Sequence, residues 1–307
     1  MTSETLARRV PRIEWRPYVA FAGCCLIWGS TFLAIRIGNE AIPPLWAATL
    51  RLLLATVLLY LIARATGATI PRGASLRDIL RYGFLQFGVN FALLYWGENA
   101  GVPSGITAVV FATVPLSTAL FALLFGLERL DLVKTVAAIG ALGGVAIIFA
   151  GQLGVGVPLL GLLAILGSST SAALSTIFLK RANSRSPFMA NAIGSAVGAP
   201  ICLAGAVLLG EPLALPTTTE GWGPILYLTL AGSLGAYVLM AWLLTKWTAS
   251  STSFIGVVIP VIALGLGALI RDERPAPLAF LGAVIVIASV VVSFRRANAH
   301  QPGDAAS

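Results

Sequence analysis

The chain has 307 residues, 58% hydrophobic and only 10% charged, with a mean hydropathy of +0.92. A soluble domain carries roughly 25% charged residues, so this chain has too few to cover a water-facing surface and must face lipid. The net charge of +8 does not mark a nucleic-acid binder, because the basic residues sit in short gaps between apolar runs, where membrane topology needs them.

A spanning helix needs about 20 mostly apolar residues. Ten runs meet that need, at 17–37, 44–64, 78–98, 103–126, 132–151, 158–180, 187–209, 222–246, 249–270 and 277–294. Arg8, Arg9, Arg12 and Arg16 precede the first run like a signal n-region. The apolar stretch is too long for a typical h-region and shows no clear cleavage site, so it reads as a retained first helix. Turn and charge signals separate the runs: Pro43-Pro44, Pro71-Arg72-Gly73, Val102 to Gly105, Gly154 to Pro158, Ser186-Pro187 and Glu211 to Gly223. Only 66–77 and 210–221 are long enough to be loops. Cys24, Cys25 and Cys202 all lie in apolar runs without pairing or metal spacing, and the single histidine, His300, lies in a polar tail.

With the N-terminus in the cytoplasm, sixteen lysines and arginines fall inside and three outside (Arg36, Arg271 and Arg274), with Arg51 left within a span. A missed helix would scramble that separation, so the count predicts ten spans with both termini cytoplasmic. The chain also repeats. An offset of 145 places Tyr82 on Tyr227, Thr107 on Thr252, Pro115 on Pro260 and Glu128 on Glu273; an offset of 144 places Gly23 on Gly167 and Arg36 on Lys180. Spans 1–5 therefore correspond to spans 6–10. Five is odd, so the second copy enters from the opposite side. The fold class is an all-α membrane protein of ten transmembrane helices in two inverted five-helix repeats, an arrangement typical of secondary transporters. The predicted units are a cytoplasmic segment 1–16, repeats 17–151 and 158–295, and a polar tail 296–307.

The first span reads Ile27-Trp28-Gly29-Ser30-Thr31-Phe32, then Ile35-Arg36-Ile37-Gly38, and the fourth reads Val102-Pro103-Ser104-Gly105-Ile106-Thr107, then Ala112-Thr113-Val114-Pro115-Leu116. Together these segments resemble the EamA-type drug/metabolite transporters, over roughly residues 17–295. The resemblance implies a bacterial inner-membrane carrier exporting amino acids, related metabolites or drugs, with a cavity lined by spans 1, 3, 4, 6, 8 and 9. It does not fix the substrate. Two span ends depart from the family pattern: Gly126-Leu127-Glu128 where Gly-Glu is usual, and Arg271-Asp272-Glu273 without the glycine.

Arg51 is the basic residue well inside a span, about seven residues or roughly 10 Å from its outer end. A central arginine costs about 2.5–3.5 kcal/mol on insertion scales, so it should face the bundle or a wet cavity. It is read either as an anion site for a substrate carboxylate or as half of a salt bridge to Glu98. Trp28, Ser30 and Thr31 either line a polar path or serve helix packing. Gln86, Asn90 and Tyr95 share roughly one face of the third span, and Ser168, Ser171 and Ser175 follow i, i+3, i+7 on the sixth; Tyr237 adds a phenol from the eighth. Pro115 and Pro260 sit mid-span at equivalent places, as hinges or static kinks. Gly140/Gly144 and Gly194/Gly198 have GxxxG spacing and are read as packing neighbouring helices rather than making a dimer, so a monomer or weak dimer is expected.

Glu98, Glu128 and Glu273 are read as structural charges at span ends, so no carboxylate lies near mid-membrane. That favours a downhill carrier or exchanger, with Glu98 able to titrate from the outer end. No P-loop is present, and no cofactor or metal is expected. The expected partners are a small-molecule substrate and the lipid bilayer. A nucleotide-sugar or phosphorylated-metabolite exchanger would want more basic residues facing the cavity. A lipid-modifying enzyme would gather acids or histidines at one membrane face, and here the acids are scattered.

Overall fold

The computed structural model describes residues 15–126, 132–244, 246 and 255–299. Ten helical spans run through them. They are α1 (Arg16–Ala41), α2 (Pro44–Ala65), α3 (Gly73–Gly83, Phe84–Val89 and Asn90–Asn99), α4 (Ser104–Phe111 and Val114–Leu124), α5 (Leu132–Gly154), α6 (Leu159–Ala182), α7 (Pro187–Leu208), α8 (Thr219–Tyr227, Leu228–Gly235 and Ala236–Leu244), α9 (Ile255–Arg271) and α10 (Pro277–Ala299). Among the described residues six are long and apolar enough to cross a membrane; Ile139–Gly154, Val258–Arg271 and Pro277–Val292 are shorter apolar helices. Large side chains cover the outer surface, with Leu208 and Leu269 each 85% exposed. Such a surface is stable only against lipid.

The hydropathy windows locate every span but misplace several ends. α1 continues four residues past its apolar run because Asn39 donates to the Tyr95 carbonyl and Glu40 pairs with Arg271. α3 starts at Gly73, five residues before its window, which shortens the expected loop. That first stretch is amphipathic, and Asp78 pairs with Arg81 at 2.9 Å and with Arg181 at 3.8 Å. Likewise α8 starts at Thr219 under a Thr218 side-chain cap.

The helix pairings keep the repeat. α2 packs on α7, α5 on α10 and α4 on α9, each pair joining a helix to its counterpart or that counterpart's partner. The α1–α9 contact is matched by α6–α4, α1–α8 by α6–α3, and α3–α7 by α8–α2. These pairings survive replacing each helix by the one five places on.

Small residues let these pairs approach. A methyl on Gly198 would lie 2.6 Å from the Phe87 carbonyl carbon, and one on Gly144 would lie 2.8 Å from the Gly282 oxygen. Gly140 meets Ser289 and Gly194 meets Gly83 and Phe87. All four GxxxG glycines are thus used within the chain, on α10 and α3.

Two spans carry π-helical turns, Phe84–Val89 in α3 and Leu228–Gly235 in α8. The offset of 145 carries the first into the second. A π turn adds a residue to the helix and is frequent at functional sites. The prolines behave unequally. α4 breaks at Ala112–Thr113, and Pro115 falls in the first turn of the segment Val114–Leu124, where a missing N–H costs nothing. The expected mid-helix kink at Pro115 is therefore a helix restart. Pro260 lies inside the unbroken α9.

Candidate functional site

A cavity of about 400 Å³ lies between the repeats. Its walls are Trp28, Thr31 and Phe32 from α1, Gln86, Phe87, Asn90, Phe91 and Leu94 of α3, Ala108, Phe111, Ala112, Val114 and Pro115 of α4, Ala172 and Thr176 of α6, Gly232 and Ser233 of α8, and Gly256 and Ile259 of α9. Arg51 reaches it from α2, a helix outside the expected set. Both π turns contribute wall: Gln86 and Phe87 from one, Gly232 and Ser233 from the other.

Arg51 is 5% exposed and has no salt bridge to any described carboxylate. Its Nη1 donates to the Tyr95 hydroxyl at 3.3 Å and its Nη2 to Ser233 Oγ at 3.4 Å. Nε is buried without a partner. The guanidinium carbon stands 4.8 Å from the Phe91 ring centroid, a cation–π contact. The expected ion pair with Glu98 is not formed: both Glu98 carboxylate oxygens are buried without a hydrogen-bond partner among the described residues. The cation is therefore held by neutral groups through long hydrogen bonds. Gly232 leaves space beside it, since a methyl there would sit 3.4 Å from Arg51 Nη2 and 3.7 Å from Thr31 Oγ1.

Apart from Thr31, Gln86, Asn90, Thr176 and Ser233, the remaining wall is apolar and aromatic. Trp28 donates its Nε1 to the Gly232 carbonyl at 3.4 Å, and Phe32 meets Phe111 with centroids 5.3 Å apart. Tyr82, Phe87, Phe91 and Tyr95 form a ladder up α3, with successive centroids 5.6, 5.4 and 6.1 Å apart. One charge at the edge of an aromatic chamber suits an amphiphile.

Of the residues singled out from the sequence, Trp28, Thr31, Arg51, Gln86, Asn90 and Pro115 line the cavity. Tyr95 stands behind it, fully buried, and acts through Arg51. Ser30 is turned away: its Oγ meets the Leu26 carbonyl at 2.6 Å and the Tyr227 hydroxyl at 2.5 Å. Ser171 and Ser175 are also not wall residues. Ser168 bonds Asn90 Oδ1 at 2.6 Å, Ser171 the Leu85 carbonyl at 2.9 Å and Ser175 Gln86 Oε1 at 2.8 Å. That polar face is a seam joining α6 to α3, and it orients Gln86 and Asn90 in the wall. Ala172 and Thr176, on the adjoining face, are the α6 wall residues. Sequence reasoning missed Thr176, which lies off the serine face of α6, and Gly232 as wall. Glu128 and the Tyr237 side chain lie outside the described residues.

The end of the bundle carrying Ala41 and Pro44 is closed. Arg36 Nε pairs with Glu273 Oε1 at 3.2 Å. The same carboxylate accepts from Ser104 N at 3.1 Å, Ser104 Oγ at 2.9 Å and Gly105 N at 3.4 Å, so it caps the α4 N-terminus. Glu211 does the same for α2, accepting from Leu45 N and Trp46 N at 3.2 and 2.9 Å. Glu273 is thus a latch between α9 and both α1 and α4.

Two inverted five-helix repeats enclosing a partly polar cavity define a multi-pass membrane carrier. The chain belongs to the EamA-like transporter family, whose model matches residues 15–150 and 159–295. It is 32% identical over 267 residues to the inner membrane transporter YedA of Escherichia coli, covering 87% of each chain. It is 28% identical to an Escherichia coli protein named as an amino-acid metabolite efflux pump, over 87% of this chain and 91% of that one. A protein of Streptantibioticus cattleyicolor named as a terminal-alkyne amino-acid exporter is 27% identical, over 88% and 90%. A solved crystal structure shares the fold with a TM-score of 0.64 and 17% identity, over 93% of this chain and 99% of that one.

Proposed function

We propose that the chain exports small amphiphilic metabolites bearing a carboxylate, with amino acids and their derivatives foremost and amphiphilic drugs also admitted. Transport would proceed by alternating access between the two repeats, in the inner membrane of a bacterium, with both termini in the cytoplasm. The observation that carries the reading is Arg51: a buried guanidinium at the cavity edge, with Nε unpartnered and two long bonds to neutral hydroxyls. A carboxylate would give the guanidinium an ionic acceptor and a bidentate geometry in place of two long bonds to hydroxyls. The apolar end of the substrate would lie against Trp28, Phe32, Phe111 and Ile259. Two relatives are named for amino-acid efflux, which agrees with that chemistry.

A nucleotide-sugar or phosphorylated-metabolite exchanger would need several cations in the cavity, and Arg51 is the charged group among the described wall residues. A lipid-modifying enzyme fits less well, because Glu211 and Glu273 serve as helix caps and an ion pair and Glu98 stands alone among the described acids near the cavity.

The test is counterflow in proteoliposomes with a panel of labelled amino acids. Saturable exchange of apolar and aromatic amino acids is expected. Exchange of sugar phosphates instead, or hydrolysis of lipid without any flux, would overturn the reading.

A further inference from the structure

Glu98 stands one turn above Tyr95 on α3 and is 2% exposed. Neither carboxylate oxygen is within hydrogen-bond geometry of a donor among the described residues, the neighbouring Thr107 hydroxyl donating instead to the Pro103 carbonyl at 3.3 Å, and Asn39 Oδ1 has no donor either. Asn39 and Arg36 lie one turn apart on the α1 face that meets this part of α3: Asn39 donates to the Tyr95 carbonyl at 3.0 Å and Arg36 Nη1 to the Glu98 carbonyl at 3.3 Å. The nearest cation does not serve the Glu98 side chain. Arg36 gives Nε to Glu273 and Nη1 to the carbonyls of Glu98 and Val102. An isolated ionised carboxylate in such a place is costly, by several kcal/mol or more. A proton removes the charge and supplies a donor where three acceptors lack one.

The other charged or titratable groups that act on it or on Tyr95 below it are Glu273, Arg51 on α2 and Cys202 on α7; Glu40, Glu211, Arg271 and Asp272 stand at the matching ends of α1, α7 and α9. α4 and the adjoining end of α6 present hydroxyls and apolar groups among the described residues, with Gly161 and Ile165 packed on Gly97. Glu40 is occupied by Arg271, and Glu211 by the α2 N-terminus.

We propose that Glu98 is a proton-binding site that latches the outer end of the carrier: protonated, it lets Glu273 keep Arg36 and close α9 onto α1 and α4; ionised, it takes Arg36 from Glu273 and releases α9. The reaction is one proton passing between the Glu98 carboxyl and water at the outer face, and no other bond is made or broken. Two carboxylates compete for one guanidinium, and the proton decides which of them wins. Orientation switching, and with it transport, then responds to external pH. This inference does not depend on which compound is carried.

The experiment needs no substrate. Leu264 faces Gly105 across the closed α4–α9 contact, where a methyl on the glycine would meet it at 2.6 Å. Full-length protein carrying Leu264→Cys is reconstituted and labelled from outside with a membrane-impermeant maleimide between about pH 8 and 6. Rates are corrected by those of the same thiol in denatured protein. The native cysteines are buried, so protein without the added thiol gives the background.

One linked proton allows up to about tenfold change in the closed-to-open ratio per pH unit. Labelling should fall at least about tenfold on acidification over that range. Glu98→Gln should be flat at the slow, acid level. Glu98→Asp, which still titrates, should restore the slope and guards against a folding artefact. A slope that persists in Glu98→Gln, a flat wild type, or a response to sodium at fixed pH would each overturn the proposal.

Discussion

Arg51 was readable from the sequence because it is the one basic residue deep in a span, and burying a guanidinium in hydrocarbon demands a reason. Its partners were not readable, since they come from two other helices, α3 and, across the repeat boundary, α8. The same limit explains the serines. A polar face on a membrane helix must point inward, but spacing alone cannot say whether it meets a cavity or another helix's hydrogen-bonding groups. On α6 it meets Leu85, Gln86 and Asn90. Three expectations belong at this scale. Arg51→Lys should cut substrate affinity at least about tenfold while leaving a monodisperse protein, because an ammonium cannot present a bidentate fork; near-normal transport with a reduced protein level would return Arg51 to a structural role. Tyr95→Phe removes one long hydrogen bond from a charged guanidinium, a kind worth about 1.5–3 kcal/mol, and should shift affinity by roughly tenfold. Gly232→Val fills space 3.4 Å from Arg51 Nη2 and should abolish binding with little change in thermal stability.

At the scale of elements, apolar run length placed all ten spans, because a backbone in lipid must satisfy its own hydrogen bonds. Ends and defects were less legible. α1 outruns its hydropathy because ion pairing and a side-chain hydrogen bond support its last turn. The π turns carry no proline and no local signature; they follow from how α3 and α8 pack, and only their shared offset shows that they belong to the repeat. The equivalence of Pro115 and Pro260 was visible, yet one restarts a helix and the other sits inside one. The broken α4 and the unbroken α9 are thus unequal partners in any motion. Packing at the α3–α7 contact is tight at the backbone itself. Gly198→Leu, which would push side-chain atoms onto the Phe87 backbone, should lower the thermal midpoint by several degrees or prevent folding, as read by size-exclusion thermostability. Ser168→Ala should cost far less, near the roughly 0.6 kcal/mol average for hydrogen bonds between membrane helices.

For the whole molecule, the repeat explains both the cavity and its closure. Equivalent helices meet around the centre, and Glu273 from the second repeat fastens the end of the first that carries Ala41 and Pro44. The repeat itself was legible as a constant offset; the latch was not, because it joins residues 104 and 273 through space. The offset of 145 also places Glu128 on Glu273, and that of 144 places Arg36 on Lys180, which together predict from sequence alone a matching latch at the opposite end. The sixteen-to-three division of basic residues predicts cytoplasmic termini, so reporter fusions at the C-terminus should fluoresce as green fluorescent protein and stay inactive as alkaline phosphatase.

The central claim is that Arg51 receives a carboxylate. It is tested most directly by the binding of an aromatic amino acid and of its C-terminal amide to purified wild-type protein and to Arg51→Gln. The amide keeps the shape and removes the charge. The acid should bind at least about tenfold tighter than the amide to wild type, and that preference should vanish in Arg51→Gln. Equal binding of acid and amide to wild type, or a preference that survives in Arg51→Gln, would contradict the account.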